Sequence, residues 1–157
     1  MITVRKGTLQ DLPRVLELIQ ELAEYEKAAG EVENTVEEMV RDGFGANPVF
    51  YLLVAEENKF ITGIAIYYIK YSTWKGKCIF LEDIIVTEKE RGKGTGALLF
   101  EEVIRIAKDM KVRRMEWQVL EWNKPALNFY HKYNSILDPE WINGKLNFAQ
   151  IQNFSNI

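Results

Sequence analysis

The run Arg91-Gly92-Lys93-Gly94-Thr95-Gly96 lies between an apolar, strand-like segment that ends at Val86 and a helical repeat that begins at Ala97. Glycine lacks a β-carbon, so it lets the backbone approach a ligand closely and reach dihedral angles closed to other residues. The helix that follows adds unpaired N–H groups and the positive end of its dipole. Together these features make a cradle for a phosphate-like anion. An ordinary flexible turn is the competing reading of the same residues. Nucleotide hydrolysis is disfavoured by a single position. A P-loop needs Ser or Thr directly after Gly-Lys to hold magnesium, and Gly92-Lys93 is followed by Gly94. The dinucleotide fingerprint G-x-G-x-x-G fails as well, because the spacing here is G-x-G-x-G. What remains is Arg-x-x-Gly-x-Gly, with a guanidinium at its mouth and amides lining a curve of pyrophosphate size.

The elements that must hold this loop can be read along the chain. Residues 2–5 alternate as a first strand. Thr8 and Asp11 then offer capping oxygens before Leu12, Val15, Leu16, Ile19 and Leu22, which recur at helical spacing. Thr35 with Glu38 forms a capping-box pattern that opens a second helix over 35–41, with Gly43 as its stop. Between the helices the chain is acidic, with Glu24, Glu26, Glu31 and Glu33. Segments 50–55 and 61–71 are β-branched and aromatic and flank Glu56-Glu57-Asn58-Lys59, which predicts a hairpin. Another strand is predicted over 77–86. Leu99, Val103, Ile106 and Met110 mark the buried stripe of the helix after the glycine loop. Met115, Trp117 and Val119 alternate in a further strand, and Asn123 caps a helix with Pro125 in its first turn and Leu127, Tyr130 and Tyr133 along it. Asn143-Gly144 signals a turn, and 145–150 reads as a last strand. The resulting order, β-α-α-β-β-β-α-β-α-β, predicts an α/β (α+β) fold with helices flanking a mixed, mostly antiparallel sheet.

Composition narrows the function classes. A chain of 157 residues, 47% hydrophobic and 12% aromatic, suits a single domain spanning 1–157. A net charge of -3 argues against a general nucleic-acid binder. Cys78 is the only cysteine and His131 the only histidine, which leaves no disulfide and no metal cluster to expect. Cys78 is assigned to the core and His131 to the surface. The N-terminus reads as a strand rather than a leader, and no apolar run reaches membrane-spanning length. A cytoplasmic location with no membrane and no nucleic-acid partner is the expectation.

The element order, the loop 91–96 and the element Asn123…Asn128-Phe129-Tyr130 together resemble the GNAT superfamily of acetyl-CoA-dependent N-acetyltransferases. Within it the chain is most similar to the spermidine/spermine (diamine) N-acetyltransferase branch, which includes relatives acting on thialysine. The segments 21–26, 42–45, 67–77, 81–83 and 121–123 carry that similarity. The resemblance implies acetyl-CoA as donor, a polyamine or small lysine-like amine as acceptor, direct attack in a ternary complex, no metal, and a homodimer. A coenzyme-binding module without catalysis, and an acetyltransferase of protein lysines or N-termini, are the competing readings.

Residue by residue, the resemblance places the coenzyme pyrophosphate on the amides of Gly92, Lys93, Gly94, Thr95, Gly96 and Ala97. It places pantetheine along Ile84, Ile85 and Val86, where its amides can join the strand as an added partner. Arg91 either meets phosphate or pairs with Glu88 or Glu90. Acetyl transfer to an alkyl ammonium, whose pKa is roughly 10, needs a group to remove a proton, a stabilised oxyanion and a protonated leaving thiolate. Glu82 matches the family's proposed base, with a solvated strand carboxylate as the alternative. Asp83 faces the opposite way in a regular strand and is read as structural unless a bulge rotates it. Tyr130 matches the tyrosine near the coenzyme sulfur, with core packing as the alternative. Asn123 caps its helix and matches a pantetheine contact. Tyr25 and Glu26 match residues lining the amine site, and Trp74 lies in a loop able to close it. The chain departs from the family at His131-Lys132-Tyr133-Asn134-Ser135, where a basic residue and Gly-Ala are usual, and again from Asp138 onward, a region that in the family helps build the subunit interface.

Overall fold

A computed structural model describes residues 1–155. The chain divides into two compact units, Met1–Gln118 and Val119–Ile157. The first unit holds one five-stranded sheet in the order β1-β2-β3-β4-β5. Its strands are β1 (Thr3–Lys6), β2 (Tyr51–Glu57), β3 (Phe60–Ser72), β4 (Gly76–Val86) and β5 (Met115–Trp117). All neighbours are antiparallel except β4 and β5, which run parallel. Helices α1 (Leu12–Tyr25) and α2 (Val36–Phe44) cover one face of the sheet, and α3 (Thr95–Asp109) covers the other. On the α1 side Leu12, Val15, Leu18 and Met39 pack with Leu52, Val54, Ile64, Ile66 and Ile85.

Local chemistry explains most boundaries. Asp11 accepts hydrogen bonds from the Thr8 N–H (2.7 Å) and hydroxyl (3.0 Å), which fixes the entry into α1. Arg5 locks the same carboxylate with two bonds (2.8 and 3.0 Å) and reaches Glu56 on β2 (2.9 Å). The expected hairpin turn is Asn58-Lys59, with φ of 50° and 68°. Two consecutive left-handed residues match the right-handed twist of the paired strands.

Several expectations are corrected. The second helix runs through Gly43 to Phe44 rather than stopping at that glycine. A Cβ on Gly43 would fall 2.3 Å from the Phe50 ring, so the glycine serves close packing and not termination. The buried stripe of α3 is Leu99, Phe100, Val103 and Ala107, while Met110 is exposed. The strand after it is only Met115–Trp117 and does not reach Val119.

The last predicted strand, 145–150, is not a strand. The second unit contains α4 (Lys124–His131) and a short α5 (Phe148–Gln152). Asn147 and Gln150 cap each other's backbone N–H groups at 2.9 Å, a reciprocal box that starts a helix where alternation suggested a strand.

Candidate active site

The glycine loop forms a cradle at the start of α3. Gly92 and Gly94 take left-handed φ of 81° and 88°. A Cβ on either would meet open space, so backbone angle rather than crowding calls for glycine there. Gly94 is the N-cap, and α3 opens at Thr95, two residues before the expected start at Ala97. No side chain caps this end, and the first helical bond runs from the Leu98 N–H to the Gly94 carbonyl (3.1 Å). Helix geometry therefore leaves the N–H groups of Thr95, Gly96 and Ala97 without an acceptor inside the helix. The Thr95 hydroxyl is also buried without a partner among the described residues. Unclaimed donors on a dipole's positive end fit a phosphate group.

The helix start is pressed onto the sheet at Gly63 of β3. A Cβ there would fall 3.3 Å from Thr95 Cγ2, 3.1 Å from Leu99 Cδ1 and 2.8 Å from the Ile85 carbonyl oxygen. Lys93 folds back onto Glu90.

Beside the cradle β4 outruns its neighbour in the sheet. Pairing of β4 with β5 ends at Leu81↔Trp117, so no strand of the first unit continues along 82–86. The Thr87 N–H bonds inward to the Thr62 carbonyl (2.9 Å), and a trans peptide points the Val86 carbonyl the other way, along this outer edge. Alternation puts the polar groups of Ile84 on the same edge, while Ile85 turns its side chain into the core. Arg91 Nε donates to the Val86 carbonyl (3.0 Å), and its guanidinium lies 5.1 Å from the centre of the Tyr25 ring. It pairs with neither Glu88 nor Glu90 in this state.

Tyr25 ends α1, and Glu26 is its C-cap. Lys27, at φ 61°, then turns the chain so that the Ala28 N–H returns to the Ala23 carbonyl (2.8 Å). A helix C-terminus favours cations. Burial pushes the Glu26 carboxyl above its ordinary range.

On β4 the regular alternation expected for Asp83 does not hold. The register passes from Tyr67↔Leu81 to Ile66↔Asp83, which leaves Glu82 as the extra residue of a bulge. Asp83 now shares the face of Ile66 and Ile85, beneath α1. Burial, and after it the neighbouring Glu82 carboxylate, raise the Tyr68 hydroxyl above its ordinary range, so the exposed Glu82 is an electrostatic neighbour of Tyr68 on this face. Burial, with added repulsion from Glu82 and Glu26, raises the Asp83 carboxyl from 3.8 to about 7. Glu26, Glu82 and Asp83 are thus electrostatic neighbours. Trp74 stands at the exposed tip of the β3–β4 hairpin, where Ser72 Oγ accepts from the N–H groups of residues 74 and 75 (3.2 Å each).

In the second unit Asn123 caps α4 by accepting from the Ala126 N–H (3.3 Å). Tyr130 is buried, its ring set edge-on to Phe129 at 5.2 Å. Asn134 takes φ 54°, so the turn survives without the family's glycine. His131 is exposed and Cys78 fully buried, as expected. Sequence reasoning passed over Tyr68, and gave Asp83 only a conditional place. The available signal was two adjacent carboxylates inside an otherwise apolar strand.

A sheet splayed open after Leu81, with an uncapped glycine-entered helix beside the opening, defines an acyl-transferase class of fold. Residues 12–134 match the Acetyltransferase (GNAT) family, and the chain belongs to it. Thialysine N-epsilon-acetyltransferase of Bos taurus is 38% identical over 137 residues, covering 82% of this chain and 81% of that protein. Spermidine/spermine N(1)-acetyltransferase-like protein 1 of Homo sapiens is 38% identical over 134 residues, covering 81% of this chain but 19% of that one. Among solved structures, a mutant BH1408 protein from Bacillus halodurans has the same fold at TM-score 0.77 and 23% identity, with 92% of this chain and 99% of that one covered. The protein is an acetyltransferase of a family whose acetyl donor is acetyl-CoA. No helix among the described residues is long and apolar enough to cross a membrane.

Proposed function

We propose that the protein transfers acetyl from acetyl-CoA to a primary amine of a polyamine or a small lysine-like molecule, by direct attack in a ternary complex. The observation that carries the choice of acceptor is the convergence of Glu26, Glu82 and Asp83 at the C-terminal end of α1, beside the Tyr25 ring. Carboxylates, an aromatic face and a negative helix end all favour an ammonium. The identity of the amine-acetylating relatives, thialysine N-epsilon-acetyltransferase among them, supports the same class.

In this reading Thr95, Gly96 and Ala97 donate N–H groups to the diphosphate, with Gly92, Lys93 and Gly94 shaping the loop. Arg91 leaves Val86 and Tyr25 to meet phosphate. Ile84, Ile85 and Val86 offer the strand edge that pantetheine extends. Bound acetyl-CoA supplies the activated acetyl group. Glu82 receives the acceptor's charge, and deprotonation falls to the carboxylates of this strand, directly or through water. Tyr130 gives a proton to the leaving thiolate, and Asn123 bonds pantetheine while capping α4. Trp74 contributes to the acceptor side. The chain 1–157 is read as one catalytic domain, which works as a homodimer in the cytoplasm without a metal.

The test is acetyl-CoA turnover against spermidine, spermine, lysine, thialysine and ornithine, with lysine peptides as controls. Turnover on free amines above that on peptides is the expected result. No turnover on any amine, or a preference for peptides, overturns the proposal.

A further inference from the structure

We propose that Asp83, brought to the acceptor face by the bulge at Glu82, is the group that takes the proton from the attacking ammonium. The inference rests on the proposed amine acetylation and refines its chemistry.

Three observations converge. The first is direction. Without the bulge, Asp83 and Leu81 would share a face; with it, Leu81 pairs with Tyr67 while Asp83 pairs with Ile66, under α1 and toward Glu26. The second is the division of labour between adjacent carboxylates. Glu82 is exposed and an electrostatic neighbour of Tyr68, whose ring stacks on Phe80 at 5.2 Å between centres. Its exposure leaves Glu82 within reach of an approaching cation. Asp83 is half-buried, and no hydrogen bond from Tyr68 or any cation acts on it.

The third is proton affinity. A carboxylate in water has a pKa near 4, about six units below an alkyl ammonium, and is a poor acceptor from it. Asp83 at about 7 narrows that gap while remaining ionised for a useful fraction of the time near neutrality. Two neighbouring carboxylates in unlike surroundings are a recurring way to separate an anion's task from a proton carrier's. The charges acting on Asp83 are Glu82 on its own strand and Glu26 at the end of α1. From β3 the facing side chain is apolar Ile66, with Tyr68 an electrostatic neighbour of Glu82 and of Glu116. Among the cations of this unit, Lys70, over the Phe80 ring, is engaged by Glu116 (3.2 Å), Arg14 by Glu17 and Glu21, and Arg91 by Tyr25 and Val86.

The step balances. The ammonium loses one proton to the Asp83 carboxylate, and its freed lone pair forms the C–N bond. The C–S bond breaks, and the thiolate takes a proton from the proposed acid, Tyr130. A second proton leaves the nitrogen as the amide forms and passes through water to the Tyr130 phenolate, and Asp83 releases its proton to solvent, so one proton is set free per turnover.

The experiment compares the pH dependence of kcat/KM for the wild type, Asp83→Asn, Asp83→Glu and Glu82→Gln, with coenzyme affinity measured by calorimetry. Wild-type activity is expected to fall on the acid side with a midpoint near 7. Asp83→Asn is expected to lose about 100-fold or more in kcat, as removal of a general base does, with coenzyme affinity within about twofold. It should also lose the limb near 7, which Asp83→Glu restores and Glu82→Gln keeps. An acceptor amine of lower pKa should leave that limb in place. A limb that persists in Asp83→Asn, or that vanishes only in Glu82→Gln, overturns the assignment. Should the Asn variant not fold, carboxyl ¹³C NMR on the wild type decides. An Asp83 signal titrating near 7 supports the proposal, and one titrating below about 5 overturns it. Wild-type turnover on amines is the separate test of the proposed function, since the NMR titration reads Asp83 whether or not any amine is consumed.

Discussion

Replacing Asp83 by Asn should change how stability depends on pH, in a direction fixed by the site's physics. In the fold its carboxyl titrates near 7, against 3.8 in an unstructured chain. Between those values the native state holds a proton that the unfolded state has released. Stability therefore falls as pH rises from 3.8 through about 7, and levels off beyond. Each unit of difference is worth about 1.4 kcal/mol, so a shift of roughly three units sets a ceiling of about 4 kcal/mol. Partial solvent access reduces this to roughly 2–3 kcal/mol. Asparagine has nothing to ionise. Urea denaturation of both proteins at a series of pH values from 4 to 8 isolates the effect as a difference, because the other titrating groups cancel. The variant should gain on the wild type steadily across the range, ending ahead by roughly 2–3 kcal/mol relative to its position at pH 4. A constant difference, or a variant that loses ground as pH rises, refutes the reasoning that Asp83 is held protonated by its surroundings.

Tyr130→Phe should lower kcat by roughly 100-fold while leaving coenzyme affinity within about twofold, measured by steady-state kinetics and calorimetry. Unchanged turnover would remove its role as an acid. Gly94→Ala forces an L-residue to φ 88° at the mouth of the cradle. It should cost about 1–2 kcal/mol in stability and weaken coenzyme binding, and a variant that binds as tightly as the wild type would show that the loop angle is not needed. Asp11→Asn removes two Arg5 bonds to a carboxyl lowered to about 2. The stabilisation is present above pH 3.8 and lost as pH falls through 2, so the variant should be weaker by roughly 2 kcal/mol at pH 7 and approach the wild type only below pH 2.

Much of this architecture can be read from local patterns. Capping at Thr8, Thr35 and Asn123, the Asn58-Lys59 turn and the glycine cradle each depend on a few neighbouring residues, and each is found where its motif falls. What alternation hides is the outcome of long-range pairing. The bulge at Glu82 follows from how β3 and β4 accommodate each other across the sheet, and locally only the adjacent carboxylates Glu82 and Asp83 hint at it. Gly43 reads as a helix stop because its real reason, the Phe50 ring, arrives from another element. Alternating apolar residues near 145–150 suggested a strand, and the stronger signal was the Asn147–Gln150 pair. For the candidate site, the cradle was visible as a motif, whereas the rotation of Asp83 was not.

The open row of peptide groups at 84–86 carries a further consequence for handling the protein. Strands that end without a neighbour are templates on which another copy can build, and proteins commonly guard them with a charge. Here the guard is Arg91, tethered to the final carbonyl of that row, and it is the same residue proposed to depart when the donor arrives. Stocks freed of ligand and held at high ionic strength, where such a charge is screened, should show more sheet-to-sheet association in light scattering than stocks at low ionic strength. If the donor lies along the row as proposed, saturating it should keep the molecules apart like a removable stave.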